Sequence, residues 1–430
     1  MEQLLHYVWK HKLFPLSPLA TTSHQRVEVI DPGLHNRNAG PDFFNAKIKI
    51  DGTLWVGNVE IHDKASDWYV HGHEKDERYD NVILHVCGII DIEAKNSKGE
   101  PLTQMQLCIP DPVLRHYKEL LSIDQYPPCY QIIPALSQLT VHSWMSALQT
   151  ERLSLKTEAI EQRVRQCQGD WENAYFVTLA RNYGFGINGE AFEQWAYHIP
   201  LHSVDHHRDD LFQVEAIFLG QAGLLELPAI PERYQKDALN DGYFSKLRNE
   251  YLYLAHKFSL TPMDYKLWRF LRLRPQNFPH IRLSQLANLY YQRRASLSQL
   301  LEATTVKDAM RVLATSVTPY WETHYTFGST SVKNEKNLSP FSLNLLVINT
   351  VVPILFAYGR HRGEERYCDR AFDFLEALRP ENNHIVRMWQ LCGLTVENAG
   401  DSQALIQLKK EYCDKKECLR CRIGYEYLKR

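Results

Sequence analysis

The hydrophobic period changes once along the chain, and the change divides it. Leu4, Leu5, Val8 and Trp9 fall on one face of a helix over residues 3–12. Short alternating runs follow at 26–30, 46–50, 54–62, 81–90 and 104–109, separated by Asp31-Pro32-Gly33, Asp51-Gly52 and Asn96-Ser97-Lys98-Gly99. Asp-Gly between two alternating runs predicts a hairpin. From about Gln138 the pattern becomes helical over long stretches such as 141–166 and 172–183, with prolines at 200, 228, 231, 262, 275 and 279 as helix boundaries. The fold class expected is α+β. An N-terminal domain, residues 1–137, carries a mixed, mainly antiparallel sheet, and a large all-α region, residues 138–430, follows with a cysteine-containing segment from about 365 onward. The apolar stretch 343–357 is interrupted by Asn344, Asn349 and Pro353, which predicts a buried helix that stops or kinks.

Side chains alternate faces along a strand, so Asn58, Glu60 and His62 project together, and Trp55, Val59 and Ile61 form an apolar side to pack on the core. Asp42 follows Gly40-Pro41 at the start of the preceding run, where its side chain can fold back toward Glu60. Hard divalent cations take carboxylate oxygens, so this pair is the candidate ligand set for Mg²⁺ or Mn²⁺. His62, His71, His73, Asp76 and His85 add a softer donor set that suits zinc or manganese better than magnesium. The ordinary alternatives are a turn cap for Asp42, an exposed strand acid for Glu60, a solvated loop for His71 and His73, and a hydrogen-bonded sheet residue for His85.

A second cluster lies near the C-terminus, where Cys413, Cys418 and Cys421 bring three thiols within about two turns, a spacing for zinc or an iron–sulfur cluster. Spacing does not give a fourth ligand; Cys368, Cys392 and His384 are the candidates the fold could supply. Basic residues around these cysteines are interrupted by Glu411, Asp414, Glu417 and Glu426, the pattern of a solvated charged helix. Arg269, Arg272, Arg274 and Arg282 with Trp268, Phe270 and Phe278 resemble a phosphate-gripping surface, against the simpler reading of a helix junction.

Composition narrows the partners. Forty-nine Lys and Arg against 51 Asp and Glu leave a net charge of −2, so nucleic-acid contact would rest on local faces and not on the field of the whole chain. The first residues lack a secretory pattern and no uninterrupted apolar run spans a bilayer, so a cytoplasmic protein without membrane contact is expected. Nine cysteines, an odd number with four scattered through the first half and five gathered from Cys368 onward, fit reduced thiols, some of them metal-bound, rather than a disulfide framework. There is no Gly-x-Ser-x-Gly elbow and no Walker motif, so a serine hydrolase or nucleotide hydrolase reading has no support.

Pro41-Asp42, a hairpin, and then Glu60-Ile61-His62 on its second strand resemble, over residues 26–86, the PD-(D/E)xK phosphodiesterase superfamily with its restriction-endonuclease-like core. The resemblance implies that Asp42 and Glu60 hold the metal, that Ile61 offers its carbonyl, and that His62 stands where that superfamily has a lysine assisting the attacking water. A neutral imidazole accepts a proton or binds metal but lacks the ammonium charge. Over nearly its full length the chain also resembles a bacterial family classed as domain of unknown function 2851, on Asn38-Ala39-Gly40-Pro41-Asp42-Phe43, Gly57 to His62, Ser66-Asp67-Trp68, residues 82–86, Arg274-Pro275, and Cys418 with Cys421 to Gly424. The cysteine segment is similar to the three-cysteine stretches of cluster-bearing DNA-repair and nuclease proteins, without their further downstream cysteine. The function expected is a divalent-metal-dependent phosphodiesterase or nuclease acting on nucleic acid, with Asp42, Glu60 and His62 as catalytic residues. A catalytically inactive nucleic-acid-binding or scaffold protein, and a histidine-rich metallohydrolase of a small substrate, are the alternatives.

Overall fold

A computed structural model describes all residues except Leu16, Arg37, Asp124, Gln125 and Ala295, and the side chains of His202 and Ser203. It falls into two units, one of Met1–Trp144 with Leu391–Leu394 and Leu408–Arg430, the other of Met145–Gln390 with Thr395–Gln407. The pattern change near residue 138 lies close to the first division, but the C-terminal segment returns to the N-terminal unit instead of remaining with the helical region. Packing explains this: in the helix Arg422–Leu428, Ile423, Tyr427 and Leu428 are buried, the Tyr427 hydroxyl donates to Glu119 Oε2 at 3.3 Å, and Tyr425 stacks near His11 at 4.9 Å.

The first unit opens with α1 (Glu2–Lys10), which buries Leu4, Leu5, Val8 and Trp9 as its spacing requires. Seven strands follow: β1 (Leu19–Ala20), β2 (Arg26–Asp31), β3 (Leu34–His35), β4 (Phe43–Ile50), β5 (Thr53–Lys64), β6 (Val82–Ile89) and β7 (Gln104–Gln106). They form one mixed sheet in the order β1-β2-β4-β5-β6-β7, with β3 paired to β4. All pairings up to β4–β5 are antiparallel, and β5–β6 and β6–β7 are parallel. The sheet curls until its ends meet, Thr21 beside β1 bridging Met105 in β7.

The strand β5 has two halves. From Val59 to His62 it is buried on both sides, whereas Leu54, Trp55 and Val56 are exposed. Trp55 therefore does not join the core face that strand alternation assigns it. The register gives the reason: β6 begins to pair with β5 only at Asn58, so the earlier residues have β4 as their one neighbour in the sheet. At that junction Gly57 lies so close to β6 that an added Cβ would stand 2.3 Å from Ile83 Cγ2 and 3.0 Å from the Asn81 carbonyl oxygen.

Helices of the second unit start at aspartates that accept backbone N–H bonds in the first turn, Asp170 before Trp171–Tyr183, Asp210 before Leu211–Gln221 and Asp241 before Gly242–Phe258. Their core buries Glu215, which accepts from Tyr243, from Thr318 Oγ1 at 2.7 Å and from Trp321 Nε1 at 2.7 Å. Arg282 is buried too, donating to Asn277 and Gln285 and lying over the Phe185 ring at 4.4 Å, so this member of the arginine–aromatic stretch is a packing joint. The apolar stretch 343–357 sits in one helix, Pro340–Arg362, which passes through a π-helical turn at Val347–Val351 just before Pro353. Its length and composition would allow it to cross a membrane, yet 67% of its most apolar window is buried inside the protein.

Replacing Gly57 by Ala forces the Ile83 side chain and the Asn81 backbone to move. Overpacking of this kind costs about 1–3 kcal/mol, so the urea midpoint of Gly57→Ala should fall below that of the native chain; an unchanged midpoint would show that the β5–β6 junction is looser than described.

Candidate metal centre

The register of three strands assembles one polar face. Glu60 pairs with His85 and His62 with Cys87 across β5–β6, and His85 pairs with Gln104 across β6–β7. Residues in register share a face, so Glu60, His62, His85, Cys87 and Gln104 line up together. A bulge between Phe43 and Ala46, with Asn45 at φ +55°, inserts one extra residue into β4 before Phe43 meets Val59. Asp42 consequently arrives opposite Glu60. Its backbone N–H donates to Glu60 Oε2 at 2.9 Å, and the Ile61 N–H donates to Asp42 Oδ2 at 2.9 Å.

The crossover from β5 to β6 folds over this face. A short helix, α2 (Asp67–Val70), starts where Lys64 N–H donates to Asp67 Oδ2 and where Ser66 bonds Asp91 through both its N–H and its hydroxyl. Trp68 drops into the space above the sheet and is fully buried, its ring 5.1 Å from His85. Gly72, at φ +73°, then reverses the chain, a conformation glycine adopts without steric cost. The reversal presents both His71 and His73 to His62, with ring centroids 5.0 and 5.3 Å away. Tyr79 stacks on His73 at 3.8 Å and closes the pocket from behind.

Donor atoms of His62, His71 and His73 all lie within 4.8 Å of one another, close enough to share one ion. Glu60 Oε1 is 3.2 Å from His73 Nε2 and 3.6 Å from His62 Nε2. Glu60 is 5% exposed and His62 1%, whereas His71 reaches solvent and leaves the cluster open on that side. His85 stands behind His62, its Nε2 2.9 Å from His62 Nδ1, and is itself held by Gln104 and Cys87. That places it to orient the His62 ring. Asp76 does not join: its carboxylate is taken by Arg78 two residues on, through contacts of 2.5–2.9 Å, and its pKa is lowered to about 2 by that guanidinium.

One participant carries no signal in the strand pattern. His6, on α1, places Nε2 3.3 Å from Asp42 Oδ2 and 3.4 Å from the Ile61 carbonyl oxygen. Its pKa is raised: burial opposes the charged form, but the Asp42 side chain outweighs it. Glu60 is also shifted upward, chiefly by burial, with His73 pulling it back and the Asp42 charge adding to the rise. His62 is pushed down to about 2 and His85 to about 4, in both cases by burial first and by neighbouring imidazoles next.

The cysteines form a separate group. Cys413, Cys418 and Cys421 line one cavity in the first unit together with Cys129. Cys368 and His384 belong to the other unit, and Cys392 is not part of this lining.

Neutral buried histidines make stability pH-dependent. In the unfolded chain each binds a proton near its ordinary value of about 6.5, whereas the folded values lie well below, so the unfolded state holds more protons and stability falls as pH drops from about 6.5 toward about 4. Each such group contributes at most about 1.4 kcal/mol per pH unit. In the presence of a chelator, the urea midpoint should decrease between pH 7 and pH 5, and the decrease should be smaller in His85→Gln, which has no proton to gain. Equal slopes in the two proteins would contradict a buried neutral His85.

No curated protein and no solved structure matches the chain. A family model described as "Protein of unknown function (DUF2851)" matches residues 2–384, a range that includes the whole carboxylate and histidine cluster and Cys129, and ends before Cys413. On this match over residues 2–384, the chain belongs to the DUF2851 family.

Proposed function

We propose that the N-terminal unit is a divalent-metal-dependent phosphodiesterase acting on nucleic acid, with Glu60, His62, His71 and His73 holding the ion and Asp42 alongside. The observation that carries this reading is the Glu60 carboxylate, clamped by Asp42 on the adjacent strand, facing a group of three imidazoles whose donor atoms lie within 4.8 Å of one another. Donor chemistry fits a divalent cation. His73 Nε2 is buried with the Glu60 carboxylate 3.2 Å away, and the depressed pKa of His62 keeps its ring neutral at neutral pH, the form that ligates metal. A bound divalent ion would lower the pKa of a water molecule and polarise a phosphoryl oxygen.

The protein's own residues divide the remaining work. Glu60 supplies the anionic oxygen, fixed by the Asp42 N–H, and His85 sets the ring of His62. His62 stands at the lysine position of the resembling motif but carries no charge. His6 faces the Asp42 carboxylate and the Ile61 carbonyl from α1, and Asp42 favours its charged form. A groove of about 940 Å³ at the earlier end of β5, lined by Asn45, Asn58, Asn81 and Trp55 and by none of the ligand candidates, shares that strand with Glu60 and His62. Trp55 is half exposed there, and an exposed aromatic of this kind is a platform for base stacking. The order of elements, a helix, a hairpin bearing the acids, and a crossover to a parallel strand, also supports the nuclease reading.

Three imidazoles favour a second reading, a metallohydrolase of a small substrate, because such a donor set suits zinc or manganese better than magnesium. One experiment separates them. The full chain is incubated with labelled single-stranded DNA, duplex DNA and RNA, and with bis-p-nitrophenyl phosphate, in Mn²⁺, Mg²⁺ or Zn²⁺, beside Glu60→Gln. Metal-dependent strand cleavage that disappears in Glu60→Gln is the expected result. Hydrolysis of the small diester alone would favour the second reading, and cleavage that survives Glu60→Gln would remove the site assignment.

A further inference from the structure

Three cysteines near the C-terminus and one from the far earlier chain meet in one place. Cys129 immediately precedes a 3₁₀ turn at Tyr130–Ala135, Cys413 ends a π-helical turn at Leu408–Cys413, Cys418 opens a 3₁₀ turn at Cys418–Arg420, and Cys421 caps the helix Arg422–Leu428. All four line a cavity of about 250 Å³, with Tyr126, Tyr412 and Lys416 among its other walls. Local geometry is committed to this arrangement. Lys416 takes φ +56° to turn the chain between Cys413 and Cys418, and Gly424 packs so tightly that a Cβ there would lie 2.1 Å from the Cys418 carbonyl oxygen.

We propose that Cys129, Cys413, Cys418 and Cys421 together ligate an iron–sulfur cluster. Cys129 is the fourth ligand that the spacing of the other three does not reveal, because it lies 284 residues before Cys413 in the chain (413 − 129). Thiols gathered inside the protein repel one another once ionised, so the arrangement is costly unless a cation lies among them. Burial first, and the other cysteines next, push the Cys129 thiol up, and burial above all holds Cys413 at about 12 and Cys421 at about 11, which keeps them protonated until a metal displaces the protons.

The space beside the sulfurs favours a cluster over a single ion. A single zinc ion draws four sulfurs to about 2.3 Å and closes the space around it. Sulfurs that line a cavity of about 250 Å³ instead leave room for several irons and bridging sulfides, with each thiolate on its own iron. Donors surround the sulfurs as a cluster requires: the Ile423 and Gly424 N–H groups point to Cys421, and the Tyr126 hydroxyl reaches Cys413. Trp144 contributes a buried indole N–H that bonds no oxygen or nitrogen and lies beside Cys421. Such hydrogen bonds to sulfur stabilise the thiolate and tune the cluster potential. Assembly is a ligand exchange in which four iron–sulfur bonds to cysteine form and four protons leave for solvent, with iron and inorganic sulfide supplied from outside. The proposal stands apart from the reading of the histidine cluster.

The test begins with full-length protein purified without oxygen and assayed for iron, acid-labile sulfide and zinc. Iron and sulfide in stoichiometric amounts, with the visible absorption of a thiolate-bound cluster, are expected; in Cys129→Ser both should be lost, and in Cys392→Ser both retained. Because Cys129→Ser can also fail to fold, the native protein is alkylated before and after removal of iron by a chelator and oxidant, and the labelled cysteines are mapped by mass. Cys129, Cys413, Cys418 and Cys421 should become reactive together only after iron is removed. Zinc in place of iron and sulfide, absence of any metal, or a folded Cys129→Ser that keeps its iron would each overturn the proposal.

Discussion

Two backbone N–H groups hold the candidate site together. The Asp42 N–H donates to Glu60 and the Ile61 N–H donates to Asp42, so each carboxylate is fixed by the strand that carries the other. Hydrogen bonds to an ionised acceptor are worth about 1.5–3 kcal/mol each, enough to hold an acid in a buried position that it would otherwise leave. With one oxygen committed to the backbone, Glu60 directs the other at His73 and His62. The β4 bulge is what makes the clamp possible, because without the extra residue the two side chains would project from opposite faces.

Burying four titratable groups side by side is expensive, and their protonation states show how the cost is met. His62 and His85 stay neutral, Glu60 is shifted toward its neutral form, and at the edge Asp42 favours the charged form of His6. Neutral imidazoles beside a carboxylate are what a divalent cation binds. The same economy operates at the cysteines, where buried thiols are neutral alone and become good ligands once a cation replaces their protons.

Local pattern made much of this visible. Alternation along one strand puts Glu60 and His62 on a shared face, the Asp-Gly turn predicts the hairpin that returns Asp42 to them, and the change of period near Gln138 lies close to the boundary at Trp144. What escaped depends on contacts between distant segments. His6 sits on a helix whose apolar face alone was legible, Gln104 and Cys87 join through parallel strand register, and Cys129 meets its partners only after the C-terminus has folded back. Trp55 departed from simple alternation because its strand has no second neighbour at that end, and the Asp76 carboxylate is taken by Arg78 two residues on.

The most direct measurement is anomalous X-ray diffraction from crystals of the full chain soaked with Mn²⁺ or Zn²⁺. An anomalous peak about 2.0–2.2 Å from a Glu60 carboxylate oxygen and from imidazole nitrogens of His62 and His73 is the expected result. Crystals that carry the metal elsewhere and show no density between these three residues would contradict the metal centre.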